Sequence, residues 1–308
     1  MTTPAATTET WTIQRLLAWT RDFLAQKGSP SPRVDAERLL GETLGLKRLD
    51  LLLRFDQPVQ KDELAAFKAR IQRRARGEPV AYILGYKGFY GLDLRVGPAV
   101  LVPRPETETL VDEVLAFLRQ PDAPAGDVLD LCTGSGAIAL AVADALQKPV
   151  PDPRKPQQEP GPVRQIVATD LSPEALAVAR ENAETLGLRT EFRQGDLFAV
   201  VPERGRFAVL ASNPPYVKTE RLATLDRDVR DFEPHLALDG GADGMSQLQV
   251  IAAHAAAVLV PGGLCAVELG SREQGAWMVA ALAAGGLPGG VVAPIQGGPT
   301  CLVTVRAG

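Results

Sequence analysis

The chain has 308 residues, 45% of them hydrophobic and 23% charged, with a formal net charge of −4. That length suggests about two domains of ordinary globular composition. Cys132, Cys265 and Cys301 are too widely spaced for a disulfide framework or a zinc pattern. With only His235 and His254 besides, no metal site is expected. Charge, Gly or Pro cuts every long apolar stretch, so no membrane span is expected, and the first residues carry no secretory pattern, so the cytoplasm is the default location. Residues 1–98 hold 16 Lys and Arg against 11 Asp and Glu, whereas residues 99–308 hold 17 against 26. Nucleic-acid enzymes usually carry a basic footprint near their site, so the acidic second part argues against DNA or RNA as a direct substrate.

Ile13, Leu16, Leu17, Phe23 and Leu24 recur at helical spacing and predict an amphipathic helix over 11–26. Ser31-Pro32 opens a second helix carrying Val34, Leu39, Leu40 and Leu44, and the Leu-rich residues 48–54 form a short element. A further helix over 62–76 turns Leu64, Phe67 and Ile71 inward and Lys68, Arg70, Arg73, Arg74 and Arg76 mostly outward. That basic run is a solvated helix face or a docking surface for an acidic partner. Residues 1–85 therefore read as a helical bundle. Phe89, Leu92, Leu94 and Val96, with turn points at Gly88 and Gly91, read as a hairpin linker over 86–98. An extended, proline-stopped segment follows, and then a helix from about Glu106 to Leu118.

From residue 127 strands and helices alternate. Strands are expected at 128–131, 166–169, 191–193, 207–211, 264–269, 291–294 and 301–305, with helices at 136–147, 173–186, 244–260 and 272–284. The alternation implies a parallel sheet covered on both faces, with the last two strands as an antiparallel hairpin at one edge. Residues 148–164 hold six prolines and read as a surface loop insertion.

Four strand ends carry residues suited to chemistry. Asp130-Leu131-Cys132-Thr133-Gly134-Ser135-Gly136 closes the first strand and opens a helix, where glycines admit a ligand to the backbone and free amides face it. It is shorter than the three-glycine dinucleotide fingerprint, and no Walker lysine follows. The second strand ends at Asp170, placed to accept hydrogen bonds from a ribose diol or to cap the next helix. Gly195-Asp196-Leu197 follows the third strand, with a carboxylate for an exocyclic amine beside an apolar residue for an adenine edge. Asn213-Pro214-Pro215-Tyr216 ends the fourth. Its prolines cannot continue a ladder, so the backbone leaves the sheet rigidly. The Asn oxygen and a proline carbonyl can accept the N–H bonds of a planar NH2 group while the Tyr ring covers its face. The competing reading is a structural turn.

Taken in order, these strand ends resemble the S-adenosylmethionine-dependent methyltransferases of the seven-stranded Rossmann-like class. Glu78-Pro79-Val80-Ala81-Tyr82-Ile83-Leu84-Gly85, Phe89-Tyr90-Gly91, Val102-Pro103-Arg104-Pro105-Glu106-Thr107-Glu108, Asp231-Phe232-Glu233-Pro234 and Gly240-Gly241-x-Asp243-Gly244 narrow the likeness. With them the chain resembles the peptide chain release factor N5-glutamine methyltransferases (HemK/PrmC family). The resemblance implies an α/β fold: a seven-stranded Rossmann-like methyltransferase sheet over 99–308 and an N-terminal helical substrate-recognition domain over 1–85, joined by the hairpin. It implies S-adenosyl-L-methionine as methyl donor and S-adenosyl-L-homocysteine as product. Cys132, Thr133, Gly134, Ser135 and Gly136 would line the methionine portion, Asp170 the ribose, and Asp196 and Leu197 the adenine, with Asn213 bordering the cofactor. Asn213, Pro214, Pro215 and Tyr216 would bind the glutamine of a release factor's Gly-Gly-Gln motif, and Asn213, Pro214 and Tyr216 would act in catalysis. Cys132 stands where the family commonly has Gly, and the turn is expected to survive because Cys is small. A monomer is expected. The alternatives are a ribosomal-protein glutamine methyltransferase, a nucleic-acid amino-methyltransferase, and a cofactor-binding adaptor.

Overall fold

The structure is a computed structural model that describes residues 10–147, 164–295 and 300–308. Its contacts divide the chain into two units: Met1–Gly85 with Arg227–Phe232, and Tyr86–Asp226 with Glu233–Gly308.

In the first unit helices span Ile13–Gln26, Pro32–Leu44, Arg48–Leu53, Lys61–Ala75 and Val80–Leu84, and the short helix Arg227–Phe232 joins them. Thr12 caps the first through its side chain, and Pro32 sits at the first position of the second. Ile13, Leu16, Leu24, Leu39, Leu40, Leu51, Phe67 and Ile71 make one buried cluster, as the apolar spacing requires. Val34 is exposed. The basic face of Lys61–Ala75 corrects the sequence reading. Arg74 is buried and its Nε donates to Asp35 Oδ2 at 2.6 Å, while Arg73 pairs with Glu78 and Arg70 donates to Thr43 Oγ1 at 2.7 Å. Long guanidinium stems reach partners that a helical wheel does not show, and Lys68 and Arg76 remain exposed.

The second unit opens with the hairpin β1 (Tyr86–Phe89) and β2 (Leu92–Arg95). Its two-residue turn is Tyr90-Gly91, both at positive φ, so Gly88 lies within β1 rather than at a turn. Phe89 and Leu94 enter the core of this unit. Seven strands follow: β3 (Asp127–Leu131), β4 (Ile166–Asp170), β5 (Glu191–Gln194), β6 (Phe207–Ser212), β7 (Leu259–Leu269), β8 (Val291–Pro294) and β9 (Cys301–Arg306). They form one sheet in the order β5-β4-β3-β6-β7-β9-β8. The first five run parallel, and β9 pairs antiparallel with both β7 and β8. The closing hairpin thus inserts its second strand into the sheet and leaves β8 at the edge.

Alternate residues of the strands enter two cores. Val128, Val209, Ala211 and Ala266 face one, packed by helices Thr107–Leu118 and Ala137–Gln147. Leu129, Leu131, Leu210, Cys265 and Val267 face the other, packed by Ser246–Val258 and Arg272–Ala284. The strand β7 begins at Leu259, earlier than its apolar run suggests. Pro261-Gly262-Gly263 stays in the strand through a register shift, with Gly262 at φ 77° and no room for a Cβ at Gly263. Apart from Arg164, the Pro-rich segment lies outside the described residues.

The chain runs from β3 outward to β5, then returns to β6 on the opposite side of β3. Connections leaving the carboxyl ends of β3 and β6 therefore diverge, which opens a crevice at that edge.

Candidate active site

A cleft of about 1050 Å³, solvent at its mouth included, lies at this edge of the second unit. Cys132, Thr133, Gly134 and Ser135 line it from the end of β3, Asp170 from β4, Asp196 and Leu197 from the loop after β5, and Asn213 and Pro215 from the end of β6. Residues that are up to 83 positions apart in the chain thus share one wall. Gly136, Pro214 and Tyr216 do not line the cleft. Gly136, at φ 84°, starts the helix where a Cβ would meet Leu140 Cδ1 at 2.9 Å. Pro214 is buried, and the Tyr216 ring lies against Gly270, so tightly that a Cβ there would meet it at 2.6 Å.

The Gly-rich turn is held from three sides. Asp130, fully buried, caps the helix by accepting from Ala139 N at 3.1 Å and from Thr133 Oγ1 at 2.6 Å. Burial pushes its carboxyl up to about 7, against the pull of those two donors. Asp170 accepts from Gly134 N at 2.8 Å through one oxygen and from Ser172 N at 2.9 Å through the other. Burial raises its pKa while these backbone donors oppose the rise. Asn182, from helix Pro173–Leu186, donates to Ser135 O at 2.9 Å and to Arg95 O at 3.1 Å, and accepts from Arg95 N at 2.7 Å.

Cys132 sits at φ 59° and Leu197 at φ 43°. These are two of the three non-glycine residues at positive φ among those described, and both line the cleft. A left-handed backbone costs a side-chain-bearing residue roughly 1–2 kcal/mol. The turn does survive with Cys in place of Gly, strained where glycine would be free. Burial first, and then the charge of Asp170, push the Cys132 thiol well above its ordinary range, so it stays protonated.

The exit from β6 is anchored as well. Ser212 Oγ donates to Leu131 O at 2.8 Å, tying the ends of β6 and β3. Asn213 Nδ2 donates to Thr107 Oγ1 at 3.1 Å. Gln274 Nε2 donates to the carbonyls of Tyr216 and Gly244, each at 3.0 Å, and fixes the loop beyond the motif. On the facing wall, buried Glu233 accepts from Val102 N at 3.2 Å and from Arg104 Nη2 at 2.6 Å.

Sequence reasoning singled out neither Asn182, Thr107, Glu268 nor Gln274. Thr107 and Glu233 lie inside quoted motif stretches, which is the one signal that could have found them. Asn182 and Gln274 look like ordinary helix-surface amides.

Comparison with known proteins follows this division. Residues 15–85 match the PrmC N-terminal domain, and residues 123–277 match a methyltransferase domain. The chain is 44% identical, over 85% of its own length and of the relative's, to the release factor glutamine methyltransferase of Geobacter sulfurreducens. The chain belongs to the release factor glutamine methyltransferases. The Rhodopirellula baltica member of the family is 40% identical over 86% of both chains. Among solved structures, the hMettl16 catalytic domain in complex with the MAT2A 3'UTR hairpin 6 aligns over 71% of this chain and 76% of its own, with a TM-score of 0.50 and 13% identity. At that identity the likeness is one of fold. The expected class, a seven-stranded methyltransferase sheet preceded by a helical region and a hairpin, is the class observed. Among the described residues no group of His, Cys, Asp and Glu could hold a metal ion, and no helix is long and apolar enough to cross a membrane.

Proposed function

We propose that this chain transfers a methyl group from S-adenosyl-L-methionine to the side-chain amide nitrogen (N5) of the glutamine in the Gly-Gly-Gln motif of peptide chain release factors. One observation carries the reading: Asn213 lines the same cleft as the Gly-rich turn, Asp170, Asp196 and Leu197, in a chain of this family.

The residues present fit the cofactor. A Cβ built at Gly134 would meet nothing within 4 Å, so the turn is open to a ligand at that point. Asp170 accepts backbone N–H bonds from Gly134, Ser172 and Leu171 over its two oxygens and keeps acceptor capacity for a diol. On this reading Cys132 to Ser135 hold the methionine portion, with Gly136 shaping the turn behind them. Asp170 holds the ribose, and Asp196 and Leu197 flank the adenine. When bound, S-adenosyl-L-methionine supplies an activated methyl group on its sulfonium.

The chain's own task is orientation. An amide nitrogen is a weak nucleophile because its lone pair is delocalised into the carbonyl. The Asn213 oxygen accepts an N–H bond of the target, aims the nitrogen and stabilises the positive charge that develops on it, while Pro214, buried behind the cleft, fixes the backbone that carries Asn213. Such positioning contributes roughly 7–11 kcal/mol in favourable cases. Pro215 forms the wall beside Asn213, and Tyr216, packed on Gly270, keeps the exit from β6 rigid and dry. The proton leaves after transfer, so no dedicated base is required.

Residues 1–85 serve as the docking domain for the protein substrate, with 86–98 as the linker. Leu49, Leu52, Leu53 and Phe55 are exposed on this unit and offer an apolar contact surface. The working form is a cytoplasmic monomer, and the charge of residues 99–308 favours a protein acceptor over a nucleic acid.

The test is methyl transfer to purified release factor, located by mass spectrometry. Asn213→Ala is expected to lower turnover at least 100-fold while leaving the Kd for S-adenosyl-L-methionine within threefold. Near-normal turnover in that variant refutes the assignment. Leu53→Glu is expected to raise KM for release factor without changing cofactor affinity.

A further inference from the structure

Behind Asn213 stands a carboxyl group that the mechanism above does not use. Glu268 lies on β7, one strand over from β6, and is 1% exposed. Ser212 and Val267 are register partners, so Asn213 and Glu268 are the next residues along adjacent parallel strands. Thr107, at the start of helix Thr107–Leu118, completes the group and is 4% exposed. Glu268 Oε2 is buried with no hydrogen-bond partner among the described residues. A buried acceptor left unpaired costs stability, on the order of 1–3 kcal/mol, and so calls for a reason.

An asparagine amide presents an oxygen on one side and an NH2 on the other, and what surrounds it decides which way it faces. Here Asn213 Nδ2 donates to Thr107 Oγ1 at 3.1 Å. A hydroxyl that accepts this bond has one proton left to give, and Glu268 is the acceptor beside it. The hydrogen bonds then run in one direction: the Asn213 NH2 donates to Thr107 Oγ1 and to the Glu268 carboxylate, and the Thr107 O–H donates to the same carboxylate. We propose that Glu268, directly and through Thr107, is a positioning residue that turns the Asn213 oxygen toward the target amide. The proposal rests on the reading of Asn213 as the group that accepts the target's N–H.

The ionised carboxylate is essential to that direction. Protonated, Glu268 becomes a donor to Thr107, the hydroxyl turns its proton to Asn213, and the amide flips. Asn213 then offers N–H groups to a target that also offers N–H groups. Burial is the main influence raising Glu268, to about 7; the Thr107 and Asn213 donors oppose it. The charged groups around it are Glu106, which raises it further, and Arg104, which lowers it and is itself paired with Glu233. Tyr216 and Cys301 face the same carboxyl, and both are held in their neutral forms.

The experiment measures kcat on purified release factor at saturating cofactor between pH 5.5 and 8.5. The glutamine amide does not titrate in this range, so a limb must come from the protein. Wild-type kcat is expected to rise through about pH 7, and Glu268→Gln to lower kcat at least tenfold and flatten the limb. The Kd for S-adenosyl-L-methionine should stay within threefold and Tm should not fall. Thr107→Val should reproduce the loss and Thr107→Ser restore it. A second readout needs no protein substrate: the Asn213 side-chain NH2 resonances should titrate near pH 7 in wild type and not in Glu268→Gln. Unchanged kcat and pH profile in Glu268→Gln overturn the proposal, as does an Asn213 resonance that ignores the substitution. A wild-type protein that fails to methylate release factor overturns the functional reading instead, and the resonance still decides the role of Glu268.

Discussion

Asn182→Ala tests the claim that the cofactor turn is held from behind. Asn182 is 2% exposed and makes three hydrogen bonds, all to backbone groups. Truncation leaves Ser135 O and both polar groups of Arg95 without their partner. Arg95 is exposed, so water can re-solvate its backbone in part, and those two bonds account for roughly 0.5–1.5 kcal/mol each. Ser135 is 3% exposed, and its orphaned carbonyl costs about 1–3 kcal/mol. The sum is about 2–6 kcal/mol, which for a domain of this size lowers Tm by roughly 5–15 °C. Calorimetric melting measures it, with Glu184→Ala, an exposed residue of the same helix, as the control expected to shift Tm by less than about 2 °C. Because Ser135 lines the cleft, isothermal titration should also show weaker cofactor binding. If Asn182→Ala melts within 2 °C of wild type and binds cofactor normally, the turn is held by its own backbone and the argument fails.

Asp170→Asn should weaken cofactor affinity about 10- to 100-fold, the worth of a hydrogen bond to a charged group, and titration calorimetry reads it directly. Asp130 and Glu268 are both raised to about 7 in the fold, so they contribute stability that is present at low pH and lost as pH rises through 7. Melting of the second unit should therefore fall between about pH 4 and 7 and level off above that, and Glu268→Gln should reduce that slope. Glu203 acts in the opposite sense: its hydrogen bond to Arg193 pulls it down to about 2, so its contribution is lost only in acid below the ordinary Glu range. Arg74→Met should destabilise the helical unit by about 3–5 kcal/mol, seen in denaturant unfolding, because it leaves Asp35 buried with only the Ser29 hydroxyl as partner.

Much of the fold was legible because local physics and tertiary structure agree. Apolar runs marked the central strands of the large sheet, since a strand buried on both faces must be apolar throughout, whereas the edge strand β5, Glu191–Gln194, has Phe192 as its one apolar residue. Caps such as Ser172 with Pro173 marked helix starts. The boundary at β7 was less legible, because Pro261-Gly262-Gly263 reads as a turn and only its neighbours show it to be a bulge. The strand ends stood out because a Gly-rich turn, two acids and Asn-Pro-Pro-Tyr each follow a strand of the alternating pattern.

The sequence by itself determined the order of elements and which residue types stand at each strand end, because periodicity and proline act over a few residues. Tertiary structure decided what surrounds them. That Asn213 meets Thr107, that Glu268 lies behind both, and that Asn182 and Gln274 brace the loops depend on strand order and register, which bring together residues up to 161 positions apart. It also decided that Arg74 is buried rather than solvated, because the charge of Asp35 lies on another helix. Side-chain amides, hydroxyls and carboxyls carry no local periodicity, so their partners become visible only when the chain has folded.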